Sequence, residues 1–270
     1  MKKKYLVWIA IWISIAISTT SVAQEKINVP LSHPNKPGKL EMSLVFGSIH
    51  VTGYNGMEVI IDSKNKSNKT KQVKVKKGMK KIGGGDGLSI TVEERNNIVE
   101  IFSEFPQNDV DFIITVPYNF SLELSTVNGG DIIVDHVIGS HEITNVNGGI
   151  IMTKIGGSVV ANTLNEDIEV SFDSVTPNGP MAFTNLNGDI EVAFPVNSKF
   201  NFVATTDNGD IFSDFDVNII GKTDKGSKGI KQNGYYKINK SGGVEAKVNG
   251  GGIEYSFTTM NGDITIKKTQ

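Results

Sequence analysis

The chain has no cysteine and a single arginine, Arg95. Without cysteine it has no disulfide staple, no thiolate nucleophile and no thiol for lipid attachment. Its two tryptophans, Trp8 and Trp12, both lie near the start. Helix signals are also scarce, with no long stretch placing apolar residues at i, i+3, i+4 and i+7 after that point. The one long apolar run, Tyr5 to Ile17, falls short of the roughly 20 residues that span a bilayer. It follows Lys2-Lys3-Lys4 and precedes Ser21-Val22-Ala23, the pattern of a signal peptide over 1–23 cleaved after Ala23. The expectation is an exported chain with no transmembrane span after cleavage, located in the periplasm, on the cell surface or outside the cell.

Removing that segment leaves 24 basic against 29 acidic residues. Such a balance lacks the basic footprint of a nucleic-acid binder. Nine lysines do gather between residues 64 and 81, without an acid or an aromatic among them. They read as a solvated hairpin whose charges discourage strand-to-strand association.

What the chain has in abundance is alternation. "KLEMSLVFGSIHVTGY" (39–54), "GLSITVEERNNIVEIFSE" (87–104) and "DVDFIITVPYNFSLELST" (109–126) read as strands between turn residues. The protein is therefore predicted to be all-β.

A turn signal recurs within this pattern. Asn-Gly-Asp-Ile stands at 187–190, 208–211 and 261–264, with variants at 128–132, 147–150, 165–168 and 249–253. The first isoleucines of these motifs are 18, 18, 22, 21, 42 and 11 residues apart. A period near 20 predicts a β-solenoid, a parallel β-helix-like stack of two-strand coils. On this count the interval of 42 hides one degenerate unit, and the interval of 11 is half a unit. A second strand falls midway, as at His141–Thr144, Val159–Ala161 and Met181–Thr184. The competing geometry is an antiparallel β-sandwich of hairpins, for which Asn-Gly is also the strongest short signal.

Each corner has an expected chemistry. Asn and Gly tolerate positive φ, and the aspartate accepts hydrogen bonds from the N–H groups of its own turn. The apolar residue before the asparagine (Val127, Val146, Leu164, Leu186, Val248, Met260) is expected to close its strand inward. The isoleucine and the valine that follow begin the next buried face. Residues 24–125 form an N-terminal β region or cap contiguous with the repeat, and 126–270 form the repeat itself. A Lys/Gly-rich excursion interrupts it at 213–245.

This grammar resembles a known family. Val116-Pro117 leading into "LELSTVNGGDIIV", followed by repeated T-x-N-G-D-I-x-V turns, is similar to the bacterial putative-adhesin domain of unknown function. The resemblance implies a β-solenoid-like exported domain assigned to surface adhesion, and it transfers no catalytic residue.

The residues themselves offer little chemistry. Asp135, His136 and His141 come nearest to a cluster of metal ligands, but their placement does not recur in other units. No G-x-S-x-G, H-E-x-x-H, P-loop or dinucleotide motif is present. A carbohydrate-processing groove with one arginine and no tryptophan would be poorly equipped. Calcium β-rolls repeat every nine residues rather than every 20, and one carboxylate per corner is too few for their shell. The expectation is a non-enzymatic structural or adhesin-like protein of the cell envelope, with no catalytic, cofactor or metal site. Its partner would be an envelope component, a glycan or a surface protein. The alternatives are a periplasmic sensing or regulatory module and, less favoured, a polysaccharide-active β-helix enzyme.

Overall fold

The computed structural model describes residues 26–65, 90–103, 108–176, 179–221, 230–232, 235–238 and 243–269. The signal segment and most of the lysine-rich stretch lie outside them. Among the described residues there are 22 strands and no helix. The strands form where alternation buries one face, as in Val110–Pro117, whose buried and half-buried residues alternate without a break.

The strands wind into flattened coils, each giving one strand to a first sheet and one to a second. Down the middle of both sheets the pairing is parallel. Phe120–Asn128 lies beside Ile138–Asn147, and Ile168–Val175 lies beside Ile190–Phe194. Parallel pairing requires crossover connections, which rules out the sandwich of hairpins. Among the described residues, antiparallel strands occur only at the ends. Ile90–Arg95 and Glu58–Asn65 close one end, while Val244–Val248 and Tyr235–Ile238 close the other. These strands cover edges that would otherwise present unpaired backbone groups.

The spatial order of the coils departs from their sequence order twice. The 38–54 coil sits between strands 98–117 and the 120–135 coil. At the far end, the 254–268 coil slots between the 181–194 and 200–213 coils. The interval of 42 therefore hides no degenerate unit. Its residues include strands Val217–Ile219 and Val244–Val248, which pair antiparallel with each other. The interval of 11 is no half unit either, because 261–264 is a full corner. Asn249–Ile253 instead turns the chain from an antiparallel strand into a parallel one. One corner escaped the motif count: Phe46-Gly47-Ser48-Ile49 aligns with Asn128 and Ile132.

Three ladders hold the corners together. Outermost, each asparagine amide bonds the next: Asn147 Nδ2 to Asn128 Oδ1 at 3.0 Å, Asn165 to Asn147 at 2.9 Å, and Asn187 to Asn165 at 3.0 Å. Asn261 to Asn187 at 2.7 Å and Asn208 to Asn261 at 2.9 Å complete the row. The second ladder is carboxylate to backbone. Asp167 Oδ1 accepts from the Asp189 N–H at 2.8 Å, Asp189 from Asp263 at 2.8 Å, and Asp263 from Asp210 at 2.7 Å. These aspartates thus serve the neighbouring coil, where the sequence had suggested their own turn.

The third ladder is buried. Thr126, Asn145, Thr163, Asn185, Thr259 and Thr206 each stand two residues before a corner asparagine and point inward. Each donates to a corner carbonyl of the coil beneath, at 2.8–3.1 Å. Coils approach so closely here that a side chain at Gly188 would meet the Glu166 carbonyl at 2.4 Å. Only a residue without Cβ fits there at its φ of 146°.

Below the corners runs a column of seven buried isoleucines in register: Ile49, Ile132, Ile150, Ile168, Ile190, Ile264 and Ile211. Each contributes about 2 kcal/mol of burial. The residue before the asparagine does not join them. Leu164 is 47% exposed and Met260 46%, with Val127 and Leu186 close behind and Val146 half-buried. The expected inward closure is reversed by parity. The polar rung two residues ahead of the asparagine takes the inward position, so its neighbour must face out. Val248 is buried, but in the antiparallel end strand.

Candidate functional site

Concavity arises on the outer face of the second sheet. Ile168, Val170 and Phe172 point inward, so Glu169, Ser171 and Asp173 point out. On the next coil Glu191 and Ala193 take the same rows, followed by Thr265 and Lys267 and then Phe212. Ser171 and Ala193 are small where their neighbours are long. The result is an open groove of about 820 Å³ crossing five coils from Ile151 and Thr153 to Phe212 and Asp214.

Charged side chains are fixed at one end. Lys267 Nζ pairs with Glu191 Oε1. The Lys268 backbone N–H donates to Asp214 Oδ1 at 2.9 Å and its ammonium to the Asp214 carbonyl at 3.0 Å. The same ammonium lies 5.4 Å from the centroid of the buried Phe215 ring. The Thr269 N–H donates to the Phe194 carbonyl at 2.8 Å. Glu169 and Asp173, by contrast, are exposed on the second of the five coils.

The histidines noted from sequence separate. Asp135 and His136 stay together at the surface, Nδ1 and Oδ2 2.6 Å apart. The Thr153 hydroxyl donates to the other carboxylate oxygen at 2.6 Å. Partial burial pushes the Asp135 carboxyl up, yet the bonds from Thr153 and His136 prevail and hold it below its usual value. The carboxylate occupies the middle of this row, whereas a nucleophile–base–carboxylate relay needs the histidine there. His141 lies in the core instead, in register between Leu122 and Val159, where the backbone groups of Gly156 and Val137 only partly offset the loss of water. Burial lowers its pKa to about 4. Among the described residues no group of three histidines, aspartates or glutamates is placed to hold a metal ion. No helix among them is long and apolar enough to cross a membrane.

Residues 126–267, just over half of the chain, match the family model Toastrack DUF4097. The chain is a member of the Toastrack family. No curated protein matches it. Among solved structures, it is similar to one titled as a putative cell adhesion protein from Clostridium sporogenes ATCC 15579. That similarity has 13% identity and a TM-score of 0.38, covering 91% of this chain and 99% of the other. The Toastrack match opens at Thr126, the first buried corner donor, and includes all six asparagine corners. The groove falls within it but for Lys268 and Thr269.

The groove has no single sequence signal. Its residues come from coils that are not consecutive in the chain, and Ala193 on an otherwise bulky outer face is the one local hint.

Proposed function

We propose that the protein is a non-enzymatic, exported module of the bacterial cell envelope that presents the faces of its solenoid for attachment. The reading rests chiefly on one observation. Most charged side chains around the groove and corners are already committed to holding the fold: Glu191 to Lys267, Asp214 to Lys268, Asp135 to Thr153 and His136, and the corner aspartates to neighbouring backbone, while Glu169 and Asp173 stay exposed to meet a ligand. The signal-like segment at 1–23 supports export, and the family resemblance supports adhesion.

Two measurements test it. Fractionation with surface proteolysis is expected to recover the chain from the envelope or the medium, and a cytoplasmic pool would refute export. Incubation with a polysaccharide panel is expected to yield no new reducing or unsaturated ends, and turnover would refute the non-enzymatic half.

A further inference from the structure

We propose that the groove across Glu169, Ala193 and Phe212 binds an extended, uncharged glycan chain lying along the solenoid axis. The proposal deepens the attachment reading by naming a face and a ligand class, and it rests on that reading for retention of the chain uncut.

Dimensions set the first constraint. A volume of about 820 Å³ is within the range of small-ligand sites, but it is spread over five coils and not sunk into a pit. Adjacent strands are about 4.8 Å apart, so the groove is roughly 20 Å long. An extended chain of four or five sugars fills such a trough, with one ring near each coil.

Chemistry sets the second. The lining carries apolar surface at Ile151, Ala193 and Phe212, on the first, third and fifth coils, which suits the C–H faces of pyranose rings. Thr153, Ser171, Thr265 and Thr269 line it with hydroxyls, which both donate and accept. Glu169 and Asp173 add acceptors two rows apart on one strand. Donors and acceptors alternating with apolar surface are what a chain of sugar hydroxyls requires.

Other polymers fit less well. An anionic chain would meet Glu169 and Asp173 with Lys154 at the first coil to offset one of them, since Lys267 is engaged by Glu191 and Lys268 by Asp214. A peptide strand gains its affinity by pairing backbone groups at a sheet edge. This groove lies on a sheet face, where backbone N–H and C=O groups are spent between coils, so a bound peptide would leave its own unpaired. Without a tryptophan platform, binding at one site will be weak, and useful adhesion would come from many copies engaging one polymer.

The test is a titration of the full-length chain, followed by NMR, with hexamers of uncharged β-1,4-linked hexose and N-acetylhexosamine. Polygalacturonate and a lysine-containing hexapeptide serve as competitors. Millimolar binding of a neutral hexamer is expected, shifting residues on coils 150–175, 181–194 and 254–268. Glu169→Lys, at an exposed site that leaves packing intact, should weaken it at least tenfold. Ala193→Arg should abolish it, with thermal melting to confirm folding. Leu164→Ser, at an exposed corner outside the groove, should change nothing. Preference for the peptide or the anionic polymer would overturn the proposal, as would indifference to Glu169→Lys or no binding by any hexamer. Cleavage of a bound hexamer would sink the non-enzymatic reading while leaving the groove assignment standing. Absence of both binding and cleavage would do the reverse.

Discussion

The backbone N–H of Asp263 donates to Asp189 Oδ1 at 2.8 Å, across 74 residues of sequence. The aspartate of one turn is therefore the cap of another, and its worth can be read from two substitutions. Asp189→Asn keeps the accepting oxygen and relieves charge crowding with Asp167 and Asp263, so it should cost less than about 1 kcal/mol. Asp189→Ala leaves the exposed Asp263 N–H to water and should cost more, about 1.5 kcal/mol. Urea titration of both variants checks the order.

Ile190 and Leu186, four residues apart, separate inside from outside. Ile190→Asp places an unpaired carboxylate in the isoleucine column and should cost several kcal/mol. Leu186→Asp changes an exposed position and should stay within about 0.5 kcal/mol. Equal costs would mean that the outward row is not outward.

His141 predicts an acid sensitivity. Its pKa is depressed to about 4 in the fold from an ordinary 6.5, so the unfolded chain takes up the proton first. Stability is complete above about pH 6.5 and is lost as the pH falls toward 4, by about 3 kcal/mol in total. His141→Leu, matching Leu122 on the neighbouring coil, should remove that dependence and leave stability near pH 7 equal or higher. Denaturant midpoints of both proteins at pH 7 and pH 4.5 give the difference directly.

The inserted coil predicts an unusual response to truncation. Ending the chain at residue 253 removes not an outer layer but the layer between 181–194 and 200–213. It strips Phe183 of its stacked partner Phe257, 5.2 Å away, and leaves the Asn187 and Asp189 ladders open. Loss of cooperative unfolding by circular dichroism is expected, where an end repeat of a simple solenoid would be shed with modest cost.

Much of this was legible in the residues. The turn signal survives because Gly188 and the isoleucine four residues after Leu186 are each dictated locally, one by backbone approach and one by burial. The row containing Leu186 was misread because the usual polarity is inverted beside a corner. Asn185 is polar and inside, where it satisfies the Glu166 carbonyl, so the apolar residue is left outside. The coil order was not legible at all. Spacing along the chain says how long a unit is, and it says nothing about which unit lies next to which. The groove inherits that blindness, since Lys267 reaches Glu191 only through the inserted coil.

That insertion also constrains how the molecule comes to be. A solenoid wound in sequence order could lock coil by coil from one end as the chain emerges. Here the 38–54 coil has no seat until strands 98–135 exist, and the gap between 181–194 and 200–213 is filled by strands 254–268. Closure must await those strands, and such distant pairings are slow to form. The topology thus makes one late coil the lock of two earlier ones.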